Sequence, residues 1–135
     1  MKSYGASGAL EEFTTACNCL SEQRTKDAVV AAHKSVESMM KTVLNRSTGR
    51  FGELIAELIK SDIVPNYYEE FLSHFEKLVL AVGKERNLPG RGHGQGPQPV
   101  EVPPPLAEFA VHLAAVVNLF LLKRWIEKKG PKLNP

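Results

Sequence analysis

Residues 25–44 read TKDAVVAAHKSVESMMKTVL, and this stretch decides the fold class. Its apolar side chains recur every three or four residues, which is the spacing of one face of an α-helix. Thr25 is predicted to cap the helix, and Asp27 lies in the first turn, where the helix dipole favours a carboxylate. The apolar face consists of Val29, Ala32, Val36, Met39, Met40 and Val43. An amphipathic helix of this length has to bury that face against other elements.

Further helices are predicted on both sides of this one. They cover Ala9–Leu20, Phe51–Lys60, a segment that begins at Asn66, and Leu106 to about Lys128. No segment alternates between apolar and polar residues as a half-buried strand would, and the chain has no internal repeat. The sequence therefore predicts an all-α fold, an irregular four- to five-helix bundle that forms a single domain over residues 1–135.

The fourth helix is predicted to open with a capping box made by Asn66 and Glu69. Its predicted buried stripe consists of Tyr67, Phe71, Leu72, Phe75, Leu78, Val79 and Val82. The fifth helix is apolar nearly all round, so it is either the central helix of the bundle or it uses one face for a dimer. Glu108, His112 and Asn118 interrupt its apolar run, which favours a core helix over a membrane span.

Composition limits the function classes that fit this chain. Its 135 residues, 43% of them hydrophobic, suit one buried core, and the net charge of +2 does not indicate general nucleic-acid binding. The cations nevertheless concentrate at the end of the chain, where Glu127 is the only acid among them. This basic end consists of Lys123, Arg124, Lys128, Lys129 and Lys132. It is either a solvated helix end or a local RNA contact.

The compartment is expected to be the cytoplasm. The N-terminus lacks the basic and then apolar pattern of a signal peptide. Cys17 and Cys19 point to different sides of the predicted first helix, so we expect two reduced, buried thiols rather than a disulfide. Two cysteines and four scattered histidines predict no metal site.

A long loop rich in glycine and proline, Leu88 to Pro105, precedes the last helix. Long connections in small domains often carry function, and Arg86, Asn87, Arg91 and His93 lie at or in this one. The glycines do not form a nucleotide fingerprint, because no strand precedes them. Histidine can move a proton near neutral pH, and arginine gives a fixed cation that matches phosphate oxygens. Together these two groups suit metal-independent cleavage of RNA.

Six residues lie between Arg86 and His93, and Asn87 and Gly94 complete the pattern. This pattern resembles the signature of the HEPN superfamily, an arginine and a polar residue followed by a histidine four to six residues on. The helices on both sides are similar to those of its abortive-infection C-terminal branch, over about residues 27–125. The similar segments are Ala31-Ala32-His33 with Glu37 and Lys41, and the alanine-rich run Ala107 to Ala115.

The resemblance implies an endoribonuclease of a phage-defence or toxin-antitoxin system that needs no cofactor. It assigns His93 as general acid or base, Arg86 as transition-state stabiliser and Asn87 as a positioning group. The products would be a 2′,3′-cyclic phosphate and a 5′-hydroxyl end. It also implies a homodimer in which two copies of the motif line one cleft, with RNA as substrate, a cognate antitoxin or effector protein as partner, and no membrane.

Four further residues are candidates for contacting RNA or supporting the site, namely Lys84, Arg91, Glu37 and Lys41. For Glu37 and Lys41, one turn apart on the second helix, the alternative is an exposed ion pair with a small effect on stability. Two other functions also stay open for the whole chain. One is a non-catalytic module that binds RNA or nucleotide, or dimerises, beside a defence effector. The other is an adaptor bundle that binds no nucleic acid.

Overall fold

The computed structural model describes residues 6–74, 76–77 and 102–129, and these residues form helices and turns without a strand. The all-α prediction is therefore confirmed. Helix α4 follows a 3₁₀ turn, Asn66–Tyr68, and covers 69–74 and 76–77. The other helices are α1, Ser7–Ser21; α2, Thr25–Leu44; α3, Phe51–Lys60; and α5, Pro104–Lys129.

Helix α2 lies at the centre of the described bundle and packs against α1, α3 and α5. Helix α5 packs against α2 and α1, so the central position, one of the two alternatives for α5, belongs to α2. Alanines let the three longest helices approach closely, because interaxial distance depends on the side chains at the contact. The buried alanines are Ala9 and Ala16 of α1, Ala28, Ala31 and Ala32 of α2, and Ala107, Ala110 and Ala114 of α5. Met39 and Met40 of α2 are fully buried and fill the wider parts of the core.

Helix α1 runs one or two residues beyond each predicted end, and three other helix starts also differ from the prediction. Thr25 is the first helical residue of α2 rather than its cap, and Arg24 precedes it with its guanidinium 3.0 Å from the Asp27 carboxylate. Asn66 does not cap α4, because it lies in the 3₁₀ turn that Pro65 opens. The last helix begins at Pro104, since proline has no N–H to lose in the first turn of a helix. Two of the prolines assigned to the loop are therefore helical.

Of the predicted apolar stripe of α4, the structure describes Tyr67, Phe71 and Leu72, whereas Phe75, Leu78, Val79 and Val82 lie outside the described residues. Leu72 is buried, as predicted, but Tyr67 is 77% exposed and Phe71 is 46% exposed. Tyr67 and Tyr68 stack loosely on each other, and Tyr68 also meets Phe120 of α5, with ring centroids 5.7 Å apart. This side of the bundle therefore presents aromatic rings to solvent.

Helix α5 has two different faces. One face is buried against α2 and α1, whereas Phe109, Val116 and Leu119 are each more than half exposed. Its length and composition also meet the criteria for a membrane-crossing helix, which the core helix of a bundle can meet as well. Near its end, Arg124 donates hydrogen bonds to the backbone carbonyls of Asp62 and Ile63, at 3.1 and 2.8 Å, and so attaches α5 to the turn after α3.

The two cysteines are free in the structure. Cys19 is buried, as predicted, and packs in the core, but Cys17 is exposed. The prediction of two buried thiols is therefore wrong for Cys17, because its side chain lies on the outer face of α1.

A buried polar contact joins α2 to α5. The Asn118 side-chain amide donates to the Ser35 hydroxyl at 3.1 Å, and that hydroxyl donates to the Ala32 carbonyl at 2.7 Å. Ser35 and Asn118 are both fully buried, and the Asn118 Oδ1 has no hydrogen-bond partner among the described residues. Since an unpaired polar atom in a core is costly, this contact fixes how α5 sits on α2 more than it adds stability.

We expect Ser35→Ala to lower the free energy of unfolding by about 1–3 kcal/mol, because it leaves the buried Asn118 amide without its acceptor. Adding Asn118→Leu should recover part of that loss, since the orphaned polar group is then removed. Urea unfolding of both single variants and the double variant measures the coupling. Losses that simply add would contradict the contact.

Candidate functional site

The predicted catalytic motif and the described structure do not overlap. Arg86, Asn87 and His93, together with Lys84 and Arg91, lie outside the described residues. Of the predicted site residues, the structure places Glu37 and Lys41, both on α2. The site is therefore built below from α2 and the elements that contact it.

His33, Glu37 and Lys41 follow one another at single-turn spacing along α2. The Lys41 ammonium lies 3.1 Å from a Glu37 carboxylate oxygen, and the two side chains are only 27% and 31% exposed. The ion pair that the alternative expected is therefore present, but it is half-buried rather than exposed. Solvent and salt screen a half-buried ion pair less than a surface pair. Glu37 therefore holds the Lys41 ammonium at a fixed place on α2.

His33 is the most buried titratable group that this stripe contains. Its imidazole stacks on Phe51, the first residue of α3, with ring centroids 4.7 Å apart and planes 16° apart. Its Nε2 atom is buried and has no hydrogen-bond partner among the described residues. Burial lowers the pKa of His33 below its ordinary value of 6.5, and the Glu37 carboxylate acts weakly in the opposite direction. His33 is thus held neutral at physiological pH.

Lys41 also lines a cleft of about 690 Å³ between the C-terminal ends of α2 and α5. The turn after α2 closes one side of the cleft, and the last turn of α5 closes the other. Asn45 takes the left-handed conformation, with φ of 56°, and its N–H and that of Arg46 bond back to the carbonyls of Thr42 and Lys41. The lining consists of Lys41, Thr42, Val43, Asn45, Arg46, Ser47, Trp125 and Lys129.

The cleft is basic, because its lining has three cations and no carboxylate. The Lys41 and Arg46 cations are anchored by Glu37 and Glu57, with the Arg46 guanidinium 2.8 Å from the Glu57 carboxylate. Lys129 differs from both, because its ammonium lies over the Trp125 ring, 5.8 Å from the centroid. A cation on an aromatic face is held weakly at an exposed site and can move to an anion.

The structure divides the basic end of the chain by role. Arg124 bonds to the turn after α3 and to Glu127, and Lys128 lies 3.5 Å from the Asp62 carboxylate. Lys129 instead faces the cleft, and Lys132 lies outside the described residues. The sequence signalled Lys129 only as part of a charge cluster. It gave no sign that Arg46 and Trp125 would line the same cleft, since 78 residues lie between them in the chain.

Metal binding finds no support among the described residues, where no three His, Cys, Asp or Glu side chains gather as a ligand set. The groups that this part of the chain offers are cations, hydroxyls, an amide and an indole, which suit an anionic ligand.

Comparison with known protein families gives one finding. The model of a HEPN-like domain, the abortive-infection C-terminal type, matches residues 7–125. The matched range runs from the start of α1 nearly to the end of α5, and it contains the Arg86-Asn87 and His93-Gly94 pattern. Neither the curated proteins nor the solved structures gave a match to the chain.

The burial of His33 makes the free energy of unfolding depend on pH. Between about pH 7 and about pH 5.5 the unfolded chain takes up a proton at His33 that the folded chain resists, so stability falls as the pH falls below the unfolded pKa. His33→Phe keeps a ring against Phe51 but removes the proton site. We therefore expect its free energy of unfolding to fall less over this range than that of the wild type.

Urea unfolding at a series of pH values measures this difference. His112→Gln is the matched control, because His112 is an exposed histidine of α5, and it should keep the wild-type pH dependence. An equal fall in stability for His33→Phe and the wild type would show that His33 does not contribute to the pH dependence of stability.

Proposed function

We propose, from the premise that this chain belongs to the HEPN-like family of abortive-infection C-terminal domains, that it is a metal-independent endoribonuclease of a phage-defence or toxin-antitoxin system. The family match is the observation that supports this proposal, because it spans residues 7–125 and includes the Arg86-Asn87 and His93-Gly94 pattern. The chain is thus a defence-related HEPN-like module, and the proposal concerns the chemistry that it performs.

The proposed reaction uses the 2′-hydroxyl of the substrate as the nucleophile. His93 takes the proton from this hydroxyl, and the oxygen attacks the adjacent phosphorus while the bond to the 5′-oxygen breaks. Arg86 stabilises the negative charge that builds on the phosphoryl oxygens, and Asn87 positions the phosphate by a hydrogen bond. A second acid, such as the other protomer's copy of His93, protonates the leaving oxygen. The ends produced are a 2′,3′-cyclic phosphate and a 5′-hydroxyl.

The described residues support this proposal indirectly. Helix α2 brings the half-buried Glu37–Lys41 pair to the rim of a basic cleft, so the fold provides positive potential without a strongly basic net charge. Local potential of this kind concentrates a polyanionic substrate. Lys84 and Arg91 are proposed to add to it from the segment that carries the motif. We propose the cytoplasm as the place of action and a cognate antitoxin or effector protein as a regulatory partner.

A homodimer is the assembly that we propose. Phe109, Val116 and Leu119 lie along one side of α5, each more than half exposed, and apolar side chains in a row favour an interface between copies. In such a dimer the two copies of the motif would share one cleft.

Val116→Glu should therefore shift the chain from dimer to monomer, because it puts a charge into an apolar contact. Thr14→Glu on the exposed side of α1 adds the same charge elsewhere and should leave the dimer intact. Light scattering coupled to size-exclusion chromatography gives the mass of each variant. The proposed interface would be contradicted by a wild type that is monomeric at every protein concentration, or by a dimer that Val116→Glu leaves unchanged.

RNA cleavage in the presence of EDTA tests the catalytic proposal. We expect Arg86→Ala to lower the cleavage rate by about 10²–10³-fold and His93→Ala by about 10²–10⁴-fold, because each removes one of the two groups that the reaction needs. Arg50→Ala and His112→Ala change exposed residues of the same types and should cleave as the wild type does. Mass spectrometry of the products identifies the cyclic phosphate.

Two results would count against the proposal. Cleavage that survives both Arg86→Ala and His93→Ala would exclude the motif as the active site. RNA binding without any new RNA ends would instead assign the chain to the non-catalytic RNA-binding members of the family.

A further inference from the structure

The cleft between the ends of α2 and α5 lies among the described residues, and none of its lining residues belongs to the predicted catalytic motif. Its volume of about 690 Å³ falls within the range of roughly 300–1,000 Å³ that is usual for ligand sites. Three of its lining side chains are cations and one is an indole. This combination of cations with an aromatic ring is typical of surfaces that bind single-stranded nucleic acid.

The cations differ in how firmly they are held, and this difference indicates how a ligand would be bound. Glu37 fixes Lys41, and Glu57 fixes Arg46, so both present a charge at a set place while leaving other N–H donors free for phosphate oxygens. The fork of the arginine is well suited to a phosphodiester. Neither carboxylate partner lines the cleft, so an entering phosphate meets cations first, although Glu37 and Glu57 offset part of the charge of Lys41 and Arg46.

Lys129 is the movable cation of the three. It lies at the exposed end of α5 with its ammonium over Trp125, and no ion pair holds it among the described residues. A phosphate competes well with an aromatic face for an ammonium group, because a full charge attracts more strongly than a ring quadrupole. Movement of Lys129 to a phosphate would take the ammonium off the ring and leave its place to a stacked base.

Helix stability alone does not explain the cluster. Cations near the C-terminal end of a helix interact favourably with its dipole, which applies to Lys41 and Lys129. Arg46, however, lies beyond the end of α2, whose last carbonyls already accept backbone N–H groups from Asn45 and Arg46. Asn45 and Ser47 add an amide and a hydroxyl on the same wall of the cleft.

We propose that this cleft binds a segment of single-stranded RNA, with phosphates at Lys41, Arg46 and Lys129 and a base stacked on Trp125. The inference rests on the proposed function in taking RNA as the ligand, and it assigns the substrate a second contact surface besides the motif. This surface holds the strand through residues that take no part in the cleavage reaction, so it governs affinity rather than the chemical step.

Trp125 is the only tryptophan of the chain, and its emission therefore reports on the cleft alone. The full chain carrying His93→Ala, which the proposed function expects to bind without cutting, is titrated with fluorescein-labelled oligouridine. Anisotropy of the label reports binding, and unlabelled oligouridine serves for the tryptophan measurement. We expect the emission to be quenched over the same concentration range in which the anisotropy rises.

Lys129→Glu is the decisive variant, because it reverses the movable charge at an exposed position. We expect affinity to fall by about tenfold or more and the salt dependence to weaken by the loss of about one phosphate contact. Lys34→Glu makes the same change at an exposed position of α2 outside the cleft and should alter affinity by less than about twofold. Circular-dichroism melting curves for both variants separate lost binding from lost folding.

Three outcomes would overturn the proposal. They are binding without a change in Trp125 emission, equal effects of Lys129→Glu and Lys34→Glu, and quenching by uridine monophosphate at the same concentrations as oligouridine. The last would identify a site for free nucleotides instead.

The proposed function can fail separately. If oligouridine binds in the cleft while Arg86→Ala and His93→Ala cleave normally, RNA binding in the cleft is supported and catalysis by the motif is contradicted. If both motif variants are inactive and Lys129→Glu binds RNA normally, catalysis by the motif is supported and RNA binding in the cleft is contradicted.

Discussion

The close approach of α1, α2 and α5 through their alanine faces is the constraint on which the rest of the described structure depends. Small side chains at a helix contact reduce the distance between axes, and every alanine in this contact is buried. A larger side chain there would have to separate the helices, because a core at native density has no space to accept it. The sizes of these side chains therefore set the positions of the helix ends.

The positions of those ends determine where the charged groups meet. With α2 and α5 in contact along their length, the turn after α2 comes beside the last turn of α5, and the basic cleft forms between them. The same packing buries Asn118 against Ser35, which fixes the register of the two helices. Arg124 then holds α5 to the turn after α3. The packing of the core therefore also determines where the charged side chains at the surface lie.

Sequence periodicity predicted most of the described helices because a repeat of three to four residues is a local property. Helix α3 has the predicted bounds, Phe51–Lys60, and α5 begins two residues before its predicted start. The exposure of Tyr67 and Phe71 was missed, because periodicity shows which residues share a face and not whether a partner covers it. Asn66 was taken for a cap because its spacing to Glu69 fits a capping box, although a 3₁₀ turn has the same start signal.

The candidate site was less predictable, since it depends on residues far apart in the chain. The motif around Arg86 and His93 was recognised from its spacing and lies outside the described residues. The Glu37–Lys41 pair was predicted from helical spacing, but its partial burial depends on tertiary packing. The presence of Arg46 in one cleft with Trp125 and Lys129 has no local signal in the sequence.

The central claim is that the chain cuts RNA by using the substrate's own 2′-hydroxyl, and substitution of that hydroxyl tests it most directly. The same preparation, in EDTA, is given an RNA and its fully 2′-O-methylated counterpart, and new ends are measured for both. The account predicts cleavage of the RNA and none of the methylated strand, which should still compete for binding. Cleavage of the methylated strand at a comparable rate would contradict it, because water would then be the nucleophile.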